Sequence, residues 1–455
     1  MPVSLWLVKD RQFYKTLLKL AVPITLQNTL TMSVGLADNV MIGQLGELDV
    51  AGVMIANQIQ FILGMLVSGL CAALGILASQ YWGKGDNLKV NALASIAVYV
   101  LLGVGMLFSF FVLIFPAQIL RLFTNDYDVI KSGVRYMSFV AWSYIFFCFT
   151  QGLIAAMRSV EIVRIGTAVT FAALIISIIG NYILIFGNFG FPALGVQGAA
   201  IATLIARIME SLIMLAYVKL NKIFKLHFLS FNKISKKLTS DFVVCACPVI
   251  FGETLWALVG IVQIAILGRL GESVMAAFSI AMVVLNLMTV VMGGMSSASN
   301  IIIGKTIGLK SYDLIKKYTW TLQLIFIVMG LVSGFILFHL RVPIVNLYNL
   351  SYESQPIALQ FIIITSVSVV FAYYIAPCFG IIKAGGDAKF VAKVGVIIGW
   401  LISVPLTFAA VFVFDMPPWA VFLCIRSDRF FKWIIAAVKI NSFTWVKNLT
   451  NDSEY

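Results

Sequence analysis

Three polar side chains set in long uncharged runs are where this sequence can do chemistry. They are Asp38 in MSVGLADNVMIGQLG, Glu253 in CPVIFGETLWALVG and Asn181 in SIIGNYILIFGNFG. A carboxylate taken out of water without a cation must acquire a proton or hold a metal ion. Asp38 has no Lys or Arg on its own predicted helix after Lys19, so it can alternate between charged, protonated and Na⁺-bound states. Its other reading is a hydrogen bond between helices. Glu253 divides in the same way, between a coupling acid and an acid that ties helices together. The Asn181 amide can give an oxygen to an ion, donate to cargo, or bridge two helices. Trp256, three residues after Glu253, can stack on a flat organic cation or simply pack.

The rest of the inventory argues against catalysis. There is no phosphate-binding glycine loop of the Walker type, no nucleophile–base pair and no metal-ligand spacing, and the two histidines, His227 and His339, stand alone. The chain is not expected to be an enzyme, and neither a catalytic residue, a metal site nor a cofactor is expected. Six cysteines fall inside apolar spans, where no disulfide is expected.

The elements that must position these residues come from a duplication. Shifting residues 23–83 by 225 positions onto 248–308 gives 16 identities in 61 ungapped positions, against roughly four from background usage. Pro23 falls on Pro248, Gly43 on Gly268, and Leu45-Gly46-Glu47 on Leu270-Gly271-Glu272. Asp38 falls on Gln263 and Glu253 on Asn28, so each copy has its acid where the other has an amide. The two acids stand ten repeat positions apart, about 15 Å along a helix, and do not make one symmetric site. Gln263 and Asn28 join the candidate cavity residues as repeat mates of the acids.

The 455 residues are 61% hydrophobic and 11% charged, with mean hydropathy +1.01. Soluble domains carry about 25% charge, so the chain reads as a polytopic membrane protein. Its apolar runs do not alternate in polarity, which selects helices over a barrel. Twelve spans are predicted, near 14–42, 51–78, 91–115, 132–156, 163–186 and 193–218, then 241–267, 275–303, 318–340, 356–382, 391–414 and 418–438. Of 32 Lys and Arg, 23 fall at the termini and in alternate loops on one side, which places both termini in the cytoplasm. The net charge of +13 is thereby read as topology, not as nucleic-acid binding.

The predicted fold is an all-α membrane protein with twelve transmembrane helices in two six-helix lobes. An even number of spans per copy relates the lobes by a pseudo-two-fold axis along the membrane normal. The N-lobe is 1–218, a basic cytoplasmic linker 219–240, and the C-lobe with its tail 241–455. Three further charged features are read as local. Arg207 and Glu210 can pair at i, i+3. Arg426, Asp428, Arg429 and Lys432 pair locally or snorkel toward the cytoplasm, and Lys383 sits at the cytoplasmic end of its helix.

These pieces resemble the multidrug and toxic compound extrusion family. The matching stretches are DNVMIGQLG at 38–46, its echo QIAILGRLG at 263–271, GETLWALVG at 252–260 and NYILIFGNFGFPALGVQGAAIAT at 181–203. The resemblance implies antiport at the plasma membrane, with H⁺ or Na⁺ entering as a small organic, often cationic, drug leaves a monomeric transporter in the bilayer. It implies that Asp38 belongs to an N-lobe cation or proton site, that Asn181 shares its cavity, and that Glu253 is the C-lobe coupling acid. Some relatives carry Asp at the Asn181 position, and some have an acid in the tenth helix, where TSVSVVFAYYIAPCFG has none. A lipid-linked saccharide flippase of the same superfamily is the alternative; it requires a strongly cationic central cavity, and the few cations within the spans disfavour it.

Overall fold

In hydrocarbon every backbone N–H and C=O must be satisfied within its own segment, and the chain answers with helices throughout. A computed structural model describes residues 7–221, 224, 227, 235–348 and 350–450. The first half comprises α1 (Arg11–Gly43), α2 (Glu47–Lys84), α3 (Asn87–Ile114), the short α4 (Pro116–Arg121), α5 (Tyr127–Ser159), α6 (Arg164–Phe186) and α7 (Val196–Leu220). The second half comprises α8 (Lys236–Leu267), α9 (Glu272–Gly308), α10 (Tyr312–Asn346), α11 (Ser354–Ala384), α12 (Ala388–Ile397), a π-helical turn at Ile398–Ser403, α13 (Val404–Phe412) and α14 (Pro418–Ser442). Among the described residues, eleven helical stretches are long and apolar enough to cross a membrane. α14 coincides with the twelfth expected span but carries Arg426, Asp428, Arg429, Lys432 and Lys439.

Helix ends follow from their residues. Gly46 and its repeat mate Gly271 precede α2 and α9 with φ of 125° and 101°. That region excludes most side chains and makes glycine the residue that can turn the chain there. Asp86 caps α3 by accepting from the Lys89 amide, and Asp126 caps α5 by accepting from those of Asp128 and Val129.

The chain divides into two compact units, Leu26–Ala246 on the one hand, and the residues up to Thr25 with those from Cys247 onward on the other. Both boundaries fall inside helices, α1 and α8, within a few residues of Pro23 and Pro248. They differ from the expected division around 219–240, because packing groups the first turns of each of these helices with the other copy. That linker lies largely outside the described residues.

The two units are built alike. In the first, α5 is central and packs on α2, α3 and α7, with α6 against α7. In the second, α11 packs on α9, α10 and α14, with α13 and the π turn against α14. The repeat holds at atomic detail. A Cβ on Gly105 would lie 3.1 Å from Ile145 Cα, and one on Gly330 would lie 3.2 Å from Val370 Cα, the same pair displaced by 225. Small residues here let two backbones meet, the usual basis of helix association in lipid. In the second unit Phe361 stacks on Phe422 with ring centroids 4.3 Å apart, and Phe278 meets Phe422 edge-on.

Candidate functional site

Asp38 is half-buried on α1, and α6 supplies its partners. Ser177 and Asn181 stand at i, i+4 and so share one helix face. The Ser177 hydroxyl donates to Asp38 Oδ1 at 3.2 Å, and Asn181 Nδ2 donates to the same oxygen at 2.5 Å. Asn181 is fully buried, and among the described residues its Oδ1 has no hydrogen-bond partner. That orphan oxygen is costly in a buried setting and gives the site a second acceptor beside the carboxylate.

Two further helices complete the surroundings. Arg207 on α7 acts electrostatically on Asp38, but its guanidinium is engaged by buried Glu210 at 2.7 Å and lies 5.1 Å from the Phe147 ring centre. The expected i, i+3 pair therefore forms. Tyr136 on α5 lies in the field of Asp38 and close to Thr203 on α7, whose hydroxyl donates to the Ala199 carbonyl at 3.0 Å. The carboxylate thus sits among neutral donors with a cation nearby that is already paired. Ser177, Tyr136 and Thr203 escaped the sequence reading. Only Ser177 left a usable signal, its i−4 spacing from Asn181.

Glu253 makes a contact of the helix-tying kind, the second of its two readings. Lys383, in the last turn of α11, donates to Glu253 Oε1 at 3.0 Å, with side-chain exposures of 21% for the lysine and 40% for the acid. Lys383 therefore ties α11 to α8 and is not a free helix-end cation. The two residues are 130 positions apart, which no local spacing reveals. Trp256 is more than half exposed, while Trp400 holds α8 through a hydrogen bond from Nε1 to the Leu255 carbonyl at 3.2 Å. Asn28, the repeat mate of Glu253, is half-buried on α1. Its neighbour Gln27 accepts from Arg158 at 2.9 Å. Asp38 and Asn181 belong to one compact unit, Glu253 and Lys383 to the other.

The repeat counterpart of the Asp38 cluster is neutral. Gln263 Nε2 donates to Ser403 Oγ at 2.7 Å, and fully buried Thr407 follows one turn later, its hydroxyl bonded to the Ser403 carbonyl. Ser403 and Thr407 lie 226 positions after Ser177 and Asn181, one more than the repeat offset. The π turn at Ile398–Ser403 accommodates that extra residue. Aspartate, serine and asparagine in one copy thus become glutamine, serine and threonine in the other; the contact to the serine is kept with its donor reversed, the third residue turns to the backbone, and the charge is removed.

Against known proteins, the family described as MatE matches residues 23–183 and 248–409, the two copies separately. A probable multidrug resistance protein NorM of Rhizobium meliloti is 25% identical over 302 residues, covering 65% of this chain and 63% of that protein. A probable multidrug resistance protein NorM of Streptococcus pneumoniae serotype 4 is 24% identical over 86% of each chain. Among solved structures, the Vibrio cholerae MATE transporter VcmN in the bent form superposes with a TM-score of 0.86 at 17% identity, covering 94% of this chain and 96% of that one. This last likeness is one of fold.

Proposed function

The chain belongs to the MatE family, and on that premise we propose that it exports small organic, often cationic, compounds in exchange for H⁺ or Na⁺. The names of the relatives support multidrug efflux as the broader activity. The observation that carries the ion-coupled reading is Asp38, a half-buried carboxylate held by two neutral donors beside an orphan amide oxygen.

Its chemistry follows from that inventory. Charged Asp38 accepts from Ser177 and Asn181. Once protonated, it needs an acceptor, and rotation of the Asn181 amide presents one in Oδ1. A Na⁺ ion would draw on the same oxygens. The pocket can therefore accommodate both charge states, and ion occupancy drives export if the inward- and outward-open states bind the ion with different affinity. Arg207 does not short-circuit the exchange, because Glu210 already engages it. The neutral cluster around Gln263 lacks a titrating group and cannot perform this step.

On this reading the protein resides in the plasma membrane, works as a monomer, and keeps both termini in the cytoplasm; the one-sided distribution of Lys and Arg supports the orientation. A lipid-linked saccharide flippase is the second reading, and the buried Lys432 and half-buried Arg426 and Arg429 of α14 give it more support than the sequence suggested. The test is uphill export of a fluorescent organic cation from proteoliposomes under separate pH and Na⁺ gradients. Asp38→Asn, which preserves shape and removes the charge, is expected to reduce gradient-driven export by about tenfold or more. Undiminished export with unchanged ion dependence would overturn the assignment.

A further inference from the structure

A second set of charges, half-buried or buried, lies on α14, and the cluster around Asp38 does not involve it. Arg426 and Arg429 stand about 12 and 17 Å along a helix about 38 Å long, near its middle and far from either end. Of the two expected alternatives the local pair forms, between Lys432 and Asp428, whereas the two arginines do not snorkel to a helix end. Both point inward, toward α9 and α11. Arg429 Nη1 donates to Ser368 Oγ on α11 at 3.0 Å, and Arg426 Nη2 lies 3.1 Å from Met282 Sδ on α9.

Charge in this cluster does not balance. Lys432 takes the one carboxylate present, Asp428, at 2.6 Å. Among the described residues neither arginine has a carboxylate within ion-pair distance, and both share the field of Asp428, already paired with Lys432. Each guanidinium carries five donors, yet Arg426 has only a thioether and the face of the Phe422 ring, 4.9 Å away, and its Nε is buried without a partner. Ser368 is already committed, since it accepts from Arg429 while donating to the Thr365 carbonyl at 3.0 Å. Guanidinium groups that no carboxylate contacts call for an anion in a membrane span, and both residues are half-buried.

We propose that Arg426 and Arg429 form an anion site within the second unit, between α9, α11 and α14, that takes a carboxylate or phosphate monoanion. The planar forks suit bidentate recognition of either group. The ring of Phe422 and the thioether of Met282 beside Arg426 favour an anion attached to an apolar body over a fully hydrated ion. Two sources share this chemistry, the acidic group of a cargo molecule and the phosphate of an anionic lipid. The site does not depend on ion coupling at Asp38, and binding measured without a gradient leaves that reading untouched in either direction.

The experiment titrates the purified full chain in neutral detergent with sodium benzoate, total Na⁺ being held constant with sodium chloride, and, in a separate arm, with phosphatidylglycerol in phosphatidylcholine mixed micelles, reading thermal stability. A saturable rise with either probe is expected, weakened about tenfold or more in Arg429→Gln. Benzoate alone would identify a cargo carboxylate, and phosphatidylglycerol alone a lipid. No rise with either probe, or an equal rise in the variant, overturns the site. Because the arginine variant could fail to fold, a second measurement uses the unaltered protein. Phenylglyoxal should modify Arg426 and Arg429, and the effective probe should slow that reaction when peptides are read by mass spectrometry. Arginines that are unreactive throughout, or unprotected, overturn the site as well.

Discussion

The side chains of the two acids differ in what holds them, and this decides what each can do. Asp38 rests on the hydroxyl and amide of α6, whereas Glu253 rests on the Lys383 cation. An ion pair can exchange its cation only if the lysine moves or another cation competes with it. We expect Glu253→Gln to reduce coupled export strongly while the protein still folds, because the isostere keeps a hydrogen-bond acceptor for Lys383. A transport assay with purified protein checks this; wild-type ion dependence in the variant would count against a coupling role. A double-mutant cycle of Glu253→Gln with Lys383→Met is expected to yield a coupling of about 1 kcal/mol in thermal stability, modest because the pair is partly exposed. Additive effects would mean that the pair contributes nothing to the fold.

The loop between α11 and α12 is latched by the C-terminal segment. Asp387 binds Lys439 at 2.8 Å and Lys447 at 3.4 Å, and the Lys447 amide donates to the Gly385 carbonyl at 2.8 Å. Trp445 is fully buried against this loop, with Nε1 donating to the Ile440 carbonyl. Burial alone would raise the Asp387 carboxyl, but the Lys439 hydrogen bond and the two ammonium charges outweigh it and hold the carboxyl below its ordinary value. A lowered pKa means that the folded state binds fewer protons, so stability is present above the ordinary carboxylate range and is lost as pH falls through the folded value. Asp387→Asn should cost about 1–2 kcal/mol near neutral pH. Thermal melts of both proteins across pH should show the gap closing under acid; a gap independent of pH would refute the latch.

For the whole molecule, the two boundaries between compact units fall beside Pro23 and Pro248, the same repeat position. A proline inside a helix cannot donate the backbone hydrogen bond and weakens the helix locally, so each copy carries a built-in point of bending. If export requires α1 to bend there, Pro23→Ala should slow turnover in proteoliposomes without lowering the melting temperature. Wild-type turnover would remove the proline from the cycle. Orientation has its own test. Single cysteines introduced at Lys84 and at Arg341 should fall on opposite sides, with only the latter labelled by an impermeant maleimide from outside the cell. The reverse pattern would invert the topology.

The repeat was readable because it is one-dimensional. Pro23 on Pro248 and Gly46 on Gly271 are matches along the chain, and the helices that they delimit follow from apolar length. Asp38 and Asn181 stood out for a related reason, since a polar group in hydrocarbon is rare enough to be noticed singly. What surrounds such a group is set by packing between distant segments, and only the tertiary structure decided it. Lys383 is the helix-end cation that the sequence suggested, but its partner Glu253, 130 residues earlier, is set by how α11 packs on α8. Arg426 and Arg429 read as locally paired or snorkelling until α14 turned them toward α9 and α11. The one-residue displacement that places Ser403 opposite Gln263 required a π turn, which no periodicity in the sequence announces. Apolar length and isolated polarity are local properties, whereas a partner is fixed by helix rotation and depth, which depend on every contact along the bundle.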